Sequence, residues 1–246
     1  MKISIVQIKS VKNDLTANVT HHIRWTDAAA AHGADMVIFP ELSLTRYEPT
    51  LAKALATHPQ DTRLDQLQCV SSSKNITICT GLPTPSEMGV HISMVIFQPE
   101  GQRQVYAKQL LHRDEAPYFS PGTQQMMLAL KNKKIAPAIC YEALHPEHAA
   151  SAHELGAEIY LASVAKPQRG VDKAIAHFPT IAKKYGMPVL MANSVGFCDD
   201  FESAGQSSVW DEQGKLLGQL DDTNEGMFIF DTETDALNRV ATALKV

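Results

Sequence analysis

Short apolar runs rich in isoleucine and valine alternate along the chain with longer stretches in which apolar residues recur with a helical period. Runs of the first kind predict buried β-strands, and stretches of the second kind predict helices with one apolar face. The predicted helices lie at 15–30, 64–70, 147–155 and 171–185. The predicted strands lie at 3–8, 36–39, 76–81, 91–98, 103–108, 126–130, 135–140, 159–164, 189–192, 207–210, 215–220 and 227–230.

Turn and cap residues set the ends of several of these elements. Asn13 and Asp14 can cap the first helix, and Gly186 with Pro188 ends the last one. The basic run Lys131-Asn132-Lys133-Lys134 lies between two apolar runs, a position that predicts a solvated hairpin turn. No linker, repeat or low-complexity segment interrupts the pattern, which predicts one domain over residues 1–246. Strand–helix alternation mixed with hairpins predicts an α/β layered sandwich whose sheets are only partly parallel.

Composition narrows the class of protein. The 246 residues are 44% hydrophobic and 20% charged, which excludes a disordered or fibrous chain. With 22 Lys and Arg against 27 Asp and Glu, the formal charge of -5 does not indicate a nucleic-acid-binding surface. The first apolar stretch is too short for a signal peptide, and no run approaches the length of a membrane span. The four cysteines lie far apart, without CxxC or zinc-finger spacing, so we expect a cytoplasmic protein without disulfides or structural zinc.

Three side chains able to take part in catalysis lie at the ends of predicted strands. Glu41 follows the strand at 36–39 through a proline, Lys108 ends the strand at 103–108, and Cys140 ends the strand at 135–140. Loops at strand ends carry many functional residues because the strands hold them rigidly. Taken singly, each residue has an ordinary alternative: a helix-start carboxylate, a solvated lysine and a buried core cysteine. Backbone N–H groups of the turn beyond Cys140 would lower its thiol pKa and bind an oxyanion.

The segments around these side chains occur in a defined order. They are Phe39-Pro40-Glu41-Leu42, then Lys108 with Leu111-His112 and Glu115-Ala116-Pro117-Tyr118-Phe119, then Cys140-Tyr141-Glu142 with Pro146-Glu147. Later segments extend the pattern: Gly156-Ala157, Asn193-Ser194-Val195-Gly196, and Gly205-Gln206-Ser207-Ser208 leading into Asp211-Glu212-Gln213-Gly214. Over nearly its whole length the chain resembles the nitrilase, or carbon-nitrogen hydrolase, superfamily. Three dispersed motifs in the family's order are much more specific than any one of them.

This resemblance implies a four-layer α-β-β-α sandwich in a single domain, which usually associates as a homodimer. It also implies that Glu41 is the general base, Lys108 the oxyanion stabiliser and Cys140 the nucleophile. The family's second glutamate matches Glu115, which would position Lys108 or the substrate nitrogen, although the loop before it looks shorter than in several branches. The backbone N–H of Tyr141 would face the oxyanion beside Lys108. The charge of Lys108 would favour the thiolate of Cys140, and the reaction needs no metal or cofactor.

Substrate-binding residues are expected beside the nucleophile and on neighbouring loops. Many relatives have an arginine where this chain has Leu144, so the substitution favours a neutral substrate. Lys166, Arg169 or Arg113 could still reach the pocket from another loop and supply a charge. The expected substrate-binding residues are Tyr118, Phe119, Tyr141, Leu144, Val164 and Ala165.

The resemblance implies a thiol-dependent hydrolase that cleaves the C–N bond of a small linear amide or N-carbamoyl compound and releases ammonia or an amine. Its expected partners are the small-molecule substrate and water, without nucleic acid or membrane. Two alternatives stay open. A nitrilase would use the same residues on a C≡N bond, and a non-catalytic member of the fold would only bind a ligand. The joint presence of Glu41, Lys108 and Cys140 counts against the second, since binding alone requires no base, cation and thiol.

Overall fold

Strands and helices alternate through residues 1–241, the part of the chain that this computed structural model describes. The predicted domain boundary at 246 lies outside the described residues. The α-helices are α1 (Leu15–Ala31), α2 (Ala52–Leu55), α3 (Asp65–Lys74), α4 (Pro146–Glu154) and α5 (Gln168–Tyr185). The strands are β1 (Lys2–Gln7), β2 (Met36–Ile38), β3 (Thr77–Ser86), β4 (Gly89–Phe97), β5 (Gln104–Ala107), β6 (Leu128–Leu130), β7 (Lys133–Ile139), β8 (Ile159–Val164), β9 (Val189–Asn193), β10 (Val195–Cys198), β11 (Phe201–Ala204), β12 (Ser208–Trp210), β13 (Leu216–Gln219), β14 (Gly226–Asp231) and β15 (Leu237–Val240).

Two large sheets and one small hairpin contain these strands. The first sheet has seven strands in the order β15-β14-β1-β2-β3-β4-β5, and the second has six in the order β13-β12-β9-β8-β7-β6. Strands β10 and β11 pair only with each other. Parallel pairing is confined to β1-β2-β3 in the first sheet and β7-β8-β9 in the second. The prediction of partly parallel sheets is therefore confirmed.

Apolar side chains fill three separate cores, which define four layers. Ile5 of β1 and Leu161 of β8 lie in the core between the two sheets. Trp25 of α1 packs with Val37 of β2 in a second core, between the first sheet and its helices. Phe178 of α5 packs in a third core against the opposite face of the second sheet. Side chains alternate between the two faces of a strand, so each buried strand contributes to two cores. This arrangement is the predicted α-β-β-α sandwich.

Most predicted elements form within a few residues of their predicted bounds. Helix α1 begins after Asp14, whose carboxylate accepts the Ala17 N–H, and α5 ends at Gly186 in the left-handed conformation. Lys131 and Asn132, at φ values of 47° and 63°, form the predicted hairpin turn between β6 and β7. The sequence pattern did not predict α2, the β10–β11 hairpin or β15. These elements are short and have few buried positions, so they carry no clear apolar period.

None of the helices among the described residues combines the length and apolarity needed to cross a bilayer.

Gly81 of β3 allows the segment after β2 to pass directly over the first sheet. A Cβ atom at this position would lie 2.6 Å from the carbonyl oxygen of Pro40 and closer still to the Leu42 backbone nitrogen. Backbone atoms cannot yield as a flexible side chain can, so only glycine fits here. The Leu44 N–H then donates to the Gly81 carbonyl at 2.9 Å and fixes the segment that contains Glu41.

We expect Gly81→Ala to lower the free energy of unfolding by about 1–3 kcal/mol, the range typical of overpacking. Urea unfolding followed by circular dichroism measures the change. Gly226→Ala is the matched control, because a Cβ there meets its nearest neighbour at 3.6 Å, an ordinary contact. Equal stability of the Gly81→Ala protein and the wild type would contradict this account of the close approach.

Candidate active site

The three side chains predicted to act together meet at one end of the two sheets. Glu41 follows β2 and Lys108 follows β5 of the first sheet, whereas Cys140 follows β7 of the second. A hydrogen bond from the Ser163 hydroxyl to the Phe39 carbonyl, at 2.8 Å, ties the two sheets together near this point. The site therefore lies between the sheets, at the carboxyl ends of their strands.

Lys108 lies between two carboxylates. Its ammonium is 2.8 Å from Glu41 Oε1 and 2.6 Å from Glu115 Oε1, and all three side chains are buried. Burial alone would lower the pKa of Lys108, but the two carboxylates outweigh it and raise that pKa above its ordinary value. The ammonium thus keeps its proton at neutral pH. An ammonium has three N–H donors, so one remains for a substrate.

Glu115 is held by three donors and acts on Lys108. Its Oε1 also accepts from the Tyr47 hydroxyl at 3.0 Å, and its Oε2 accepts from the His112 backbone N–H at 2.7 Å. Both oxygens are therefore occupied. Of the two roles that the resemblance implies, the geometry supports the positioning of Lys108.

Glu41, in contrast, has a free oxygen. Its Oε2 is buried and has no hydrogen-bond partner among residues 1–241. Burial raises the pKa of Glu41, Lys108 opposes that rise and Glu115 adds to it, and the net pKa lies above the ordinary glutamate value. Contact with the Cys140 thiol lowers it slightly, so the two groups are neighbours. A carboxylate of raised pKa beside a thiol is suited to act as its base.

Cys140 occupies a sharp turn between β7 and a short 3-10 segment, Glu142–Leu144. Its φ of 51° lies in the left-handed region, which is costly for a residue with a Cβ atom. Its backbone N–H donates to the Ser163 carbonyl at 3.0 Å and continues the β7–β8 pairing. The next N–H, of Tyr141, donates to none of the residues in 1–241 and is free to bind an oxyanion.

The thiol pKa differs from the sequence expectation. Burial and the charge of Glu41 together raise the pKa of Cys140 to about 11, although Lys166 and Lys108 oppose them. Lys108 does favour the thiolate, as expected, but burial and Glu41 outweigh it, so the net pKa lies above the ordinary value and not below it. The two carboxylates next to Lys108 offset its positive charge, so Lys108 stabilises the Cys140 thiolate only weakly. The resting cysteine is therefore a thiol.

Glu142 locks the two halves of the site to each other. Its Oε1 accepts from the Ile139 N–H at 2.7 Å, and its Oε2 accepts from the Gln109 N–H at 2.6 Å. The Tyr106 hydroxyl also donates to Oε1 at 2.7 Å. One buried carboxylate thus joins the turn at Cys140 to the backbone that follows Lys108.

A cavity of about 550 Å³ opens onto Cys140 and Glu115. Four of the six residues expected to bind substrate line it, namely Tyr118, Tyr141, Leu144 and Ala165. Sequence reasoning missed other lining residues because they lie on elements that it did not predict or assign to the site. These are Tyr47, Pro49, His112, Asp114, Pro167, Gly170, Lys173, Asp199, Asp200 and Phe201.

Phe119 and Val164, also expected to bind substrate, do not line this cavity. Phe119 packs in the core between the sheets. Val164, at the end of β8, packs in the core under α5. Successive residues of a strand point to opposite faces of the sheet. The Ser163 hydroxyl points toward the other sheet, so Val164 points toward α5.

Charged side chains also line the cavity. Lys166 and Arg169 reach it, as the sequence allowed, whereas the Arg113 side chain is 90% exposed and lies outside it. Leu144 therefore does not leave the cavity without a cation. Among the described residues, no group of three His, Cys, Asp or Glu side chains is arranged to hold a metal ion.

Comparisons with known proteins give the family and the fold of the chain. The family model described as Carbon-nitrogen hydrolase matches residues 2–241. A glutamine-dependent NAD(+) synthetase of Thermotoga maritima is 24% identical over 98% of the chain, which spans only 43% of that relative. An (R)-stereoselective amidase of Pseudomonas sp. is 26% identical, over 88% of this chain and 80% of the relative. An amidase from Nesterenkonia sp. AN1, carrying acrylamide added to its active site cysteine, superposes with a TM-score of 0.86 at 23% identity, covering 94% and 92% of the two chains.

We expect Cys140 to react slowly with iodoacetamide at pH 8 and to react faster as the pH approaches 11, since the thiolate is the nucleophile. Glu41→Gln removes a negative charge that raises the thiol pKa, so alkylation at pH 8 should become faster. Mass spectrometry of the Cys140 peptide measures the rate, with the exposed Cys69 as internal reference. A Cys140 rate that reaches its plateau below pH 8 would refute the raised pKa.

Proposed function

The chain belongs to the carbon-nitrogen hydrolase family, and we propose that it hydrolyses a small linear amide or N-carbamoyl compound through a thioester on Cys140. The observation that carries the proposal is the buried contact of Lys108 with Glu41 and with Glu115, since Glu115 lines the same cavity as Cys140. A buried ion pair contributes little to stability after its desolvation cost. Such an arrangement is therefore better explained by catalysis than by ligand binding alone.

The first half of the reaction forms the thioester. Glu41 Oε2 accepts the thiol proton as Cys140 Sγ bonds to the amide carbon, and the carbonyl electron pair moves onto oxygen. The third N–H of Lys108 and the N–H of Tyr141 stabilise that oxyanion. When the carbonyl re-forms, the C–N bond breaks, and the nitrogen leaves with the proton from Glu41 as ammonia or an amine.

The second half regenerates the enzyme. Glu41 takes a proton from water, the hydroxide adds to the thioester, and the C–S bond breaks as the carbonyl re-forms. Cys140 recovers the proton from Glu41, and the carboxylic acid leaves. A base with a raised pKa can both accept and return protons near neutral pH, which is why one carboxylate serves both halves.

We propose that the enzyme works in the reducing cytoplasm, where its free cysteines stay reduced. We propose a single catalytic domain that pairs into a homodimer, as the resemblance implies, and gel filtration with light scattering measures its mass.

We expect Cys140→Ala to abolish ammonia release while the protein stays folded. Acid-quenched wild-type enzyme mixed with a turned-over amide should carry an acyl group on the Cys140 peptide, because the thioester is an intermediate. Peptide mass spectrometry detects it. Full activity of the Cys140→Ala protein would exclude covalent catalysis at this residue.

We expect kcat/KM to fall as the pH is lowered through the pKa of Glu41, because a protonated carboxyl cannot accept the thiol proton. Since that pKa is raised, the midpoint should lie above 4.5, the ordinary glutamate value. Glu115→Gln removes a charge that raises it, so the acid limb should move to lower pH, with reduced kcat from misplaced Lys108. Glu147→Gln on α4 is the control, and an acid limb unchanged by Glu115→Gln would contradict the coupling.

A further inference from the structure

Lys166 is a second buried lysine beside the nucleophile, and the mechanism above does not use it. Lys166 lies three positions after Ser163, the last residue of β8 that faces the other sheet. It is only 4% exposed. Its Nζ donates to the backbone carbonyl of Cys140 at 3.3 Å, the only acceptor that it has in residues 1–241. An ammonium has three N–H donors, and lysine is seldom buried without a partner. Two donors therefore remain for a ligand.

The fold holds Lys166 in this position. Asn193 Oδ1 accepts the Lys166 N–H at 2.9 Å, and the Asn193 Nδ2 donates to the Lys166 carbonyl at 3.2 Å. The Ala204 N–H donates to the same carbonyl. Gly170 leaves room for the aliphatic stem, since a Cβ there would lie 3.1 Å from Lys166 Cβ. The ammonium is thus preorganised in the cavity instead of extending into solvent.

The charged side chains that line the cavity differ in burial. Asp114, Arg169, Lys173, Asp199 and Asp200 are all exposed, and water and salt screen exposed charges strongly. The buried ones are Lys166 and Glu115, and Glu115 is already paired with the Lys108 ammonium. Lys166 has only the Cys140 carbonyl as a partner within residues 1–241, so its ammonium has the larger influence on ligand charge.

We infer that the substrate is an amide that carries a carboxylate, and that Lys166 binds this carboxylate. The inference rests on the proposed function and names the substrate class. Because Lys166 contacts the backbone of the nucleophile itself, the carboxylate lies a short chain away from the scissile carbonyl, as in the monoamides of succinic or glutaric acid. Lys166 is a specificity residue, and it takes no proton in the reaction.

The test compares two ligands that differ only in the distal group, succinamate with a carboxylate and butyramide with a methyl group. In the Cys140→Ala protein, calorimetry should show at least tenfold tighter binding of succinamate, about 1.4 kcal/mol. Lys166→Met in the same protein should remove this preference, and Lys183→Met, at the far end of α5, should keep it. Equal affinities, or a preference that survives Lys166→Met, would overturn the inference.

Two further measurements complete the design. If Lys166→Met does not fold, Gly170→Ala should reduce the succinamate preference by displacing the lysine stem, and an unchanged preference overturns the inference. Ammonia release by the wild-type enzyme separates the two proposals. Turnover of butyramide at the same kcat/KM as succinamate overturns only the role of Lys166. If the wild type hydrolyses no amide, the proposed function fails, and the binding comparison still decides the role of Lys166.

Discussion

The sharing of one buried ammonium by two carboxylates is the interaction on which this molecule depends. Lys108 neutralises one negative charge, so the cluster with Glu41 and Glu115 keeps an excess negative charge in the protein interior. Burial raises the pKa of Glu41, and the charge of Glu115 adds to this rise, so Glu41 can act as a base of useful strength. Burial also raises the pKa of Cys140, and the charge of Glu41 adds to it, so the thiol stays protonated in the resting protein. Base strength and thiol protonation thus both follow from the burial of this charged cluster.

Such a cluster requires a scaffold that does not relax. Its members follow strands of the first sheet and face Cys140 of the second, and close backbone contacts hold these segments together. Gly81 leaves room for the backbone segment that contains Glu41. The Gly122 N–H donates to the Lys108 carbonyl at 2.7 Å. Glu142 then ties the loop after Lys108 to the turn of Cys140. Preorganised charges need no rearrangement during the reaction, which is the main source of electrostatic catalysis.

The sequence predicted an α/β layered sandwich and the grouping of Glu41, Lys108 and Cys140 at strand ends, since apolar periods and strand-end motifs are local signals. It failed where the answer depends on what surrounds a group in space. The sign of the Cys140 pKa shift depends on burial and on Glu41, which lies far away in the chain. Val164 was assigned to the cavity because no local signal shows which face of the sheet its side chain points to. Phe201 was missed because the short β10–β11 hairpin has no apolar period.

The raised pKa of Cys140 also has a consequence for oxidative damage. Peroxides and disulfides react with thiolates, and at neutral pH a thiol of pKa about 11 is ionised in only about one molecule in ten thousand. Low-pKa cysteine enzymes lack this protection and need reductants to remain active. In the proposed mechanism, the Cys140 thiolate forms only when Glu41 takes its proton with a substrate in place. The enzyme should therefore keep its activity through a burst of hydrogen peroxide that oxidises ordinary catalytic thiolates.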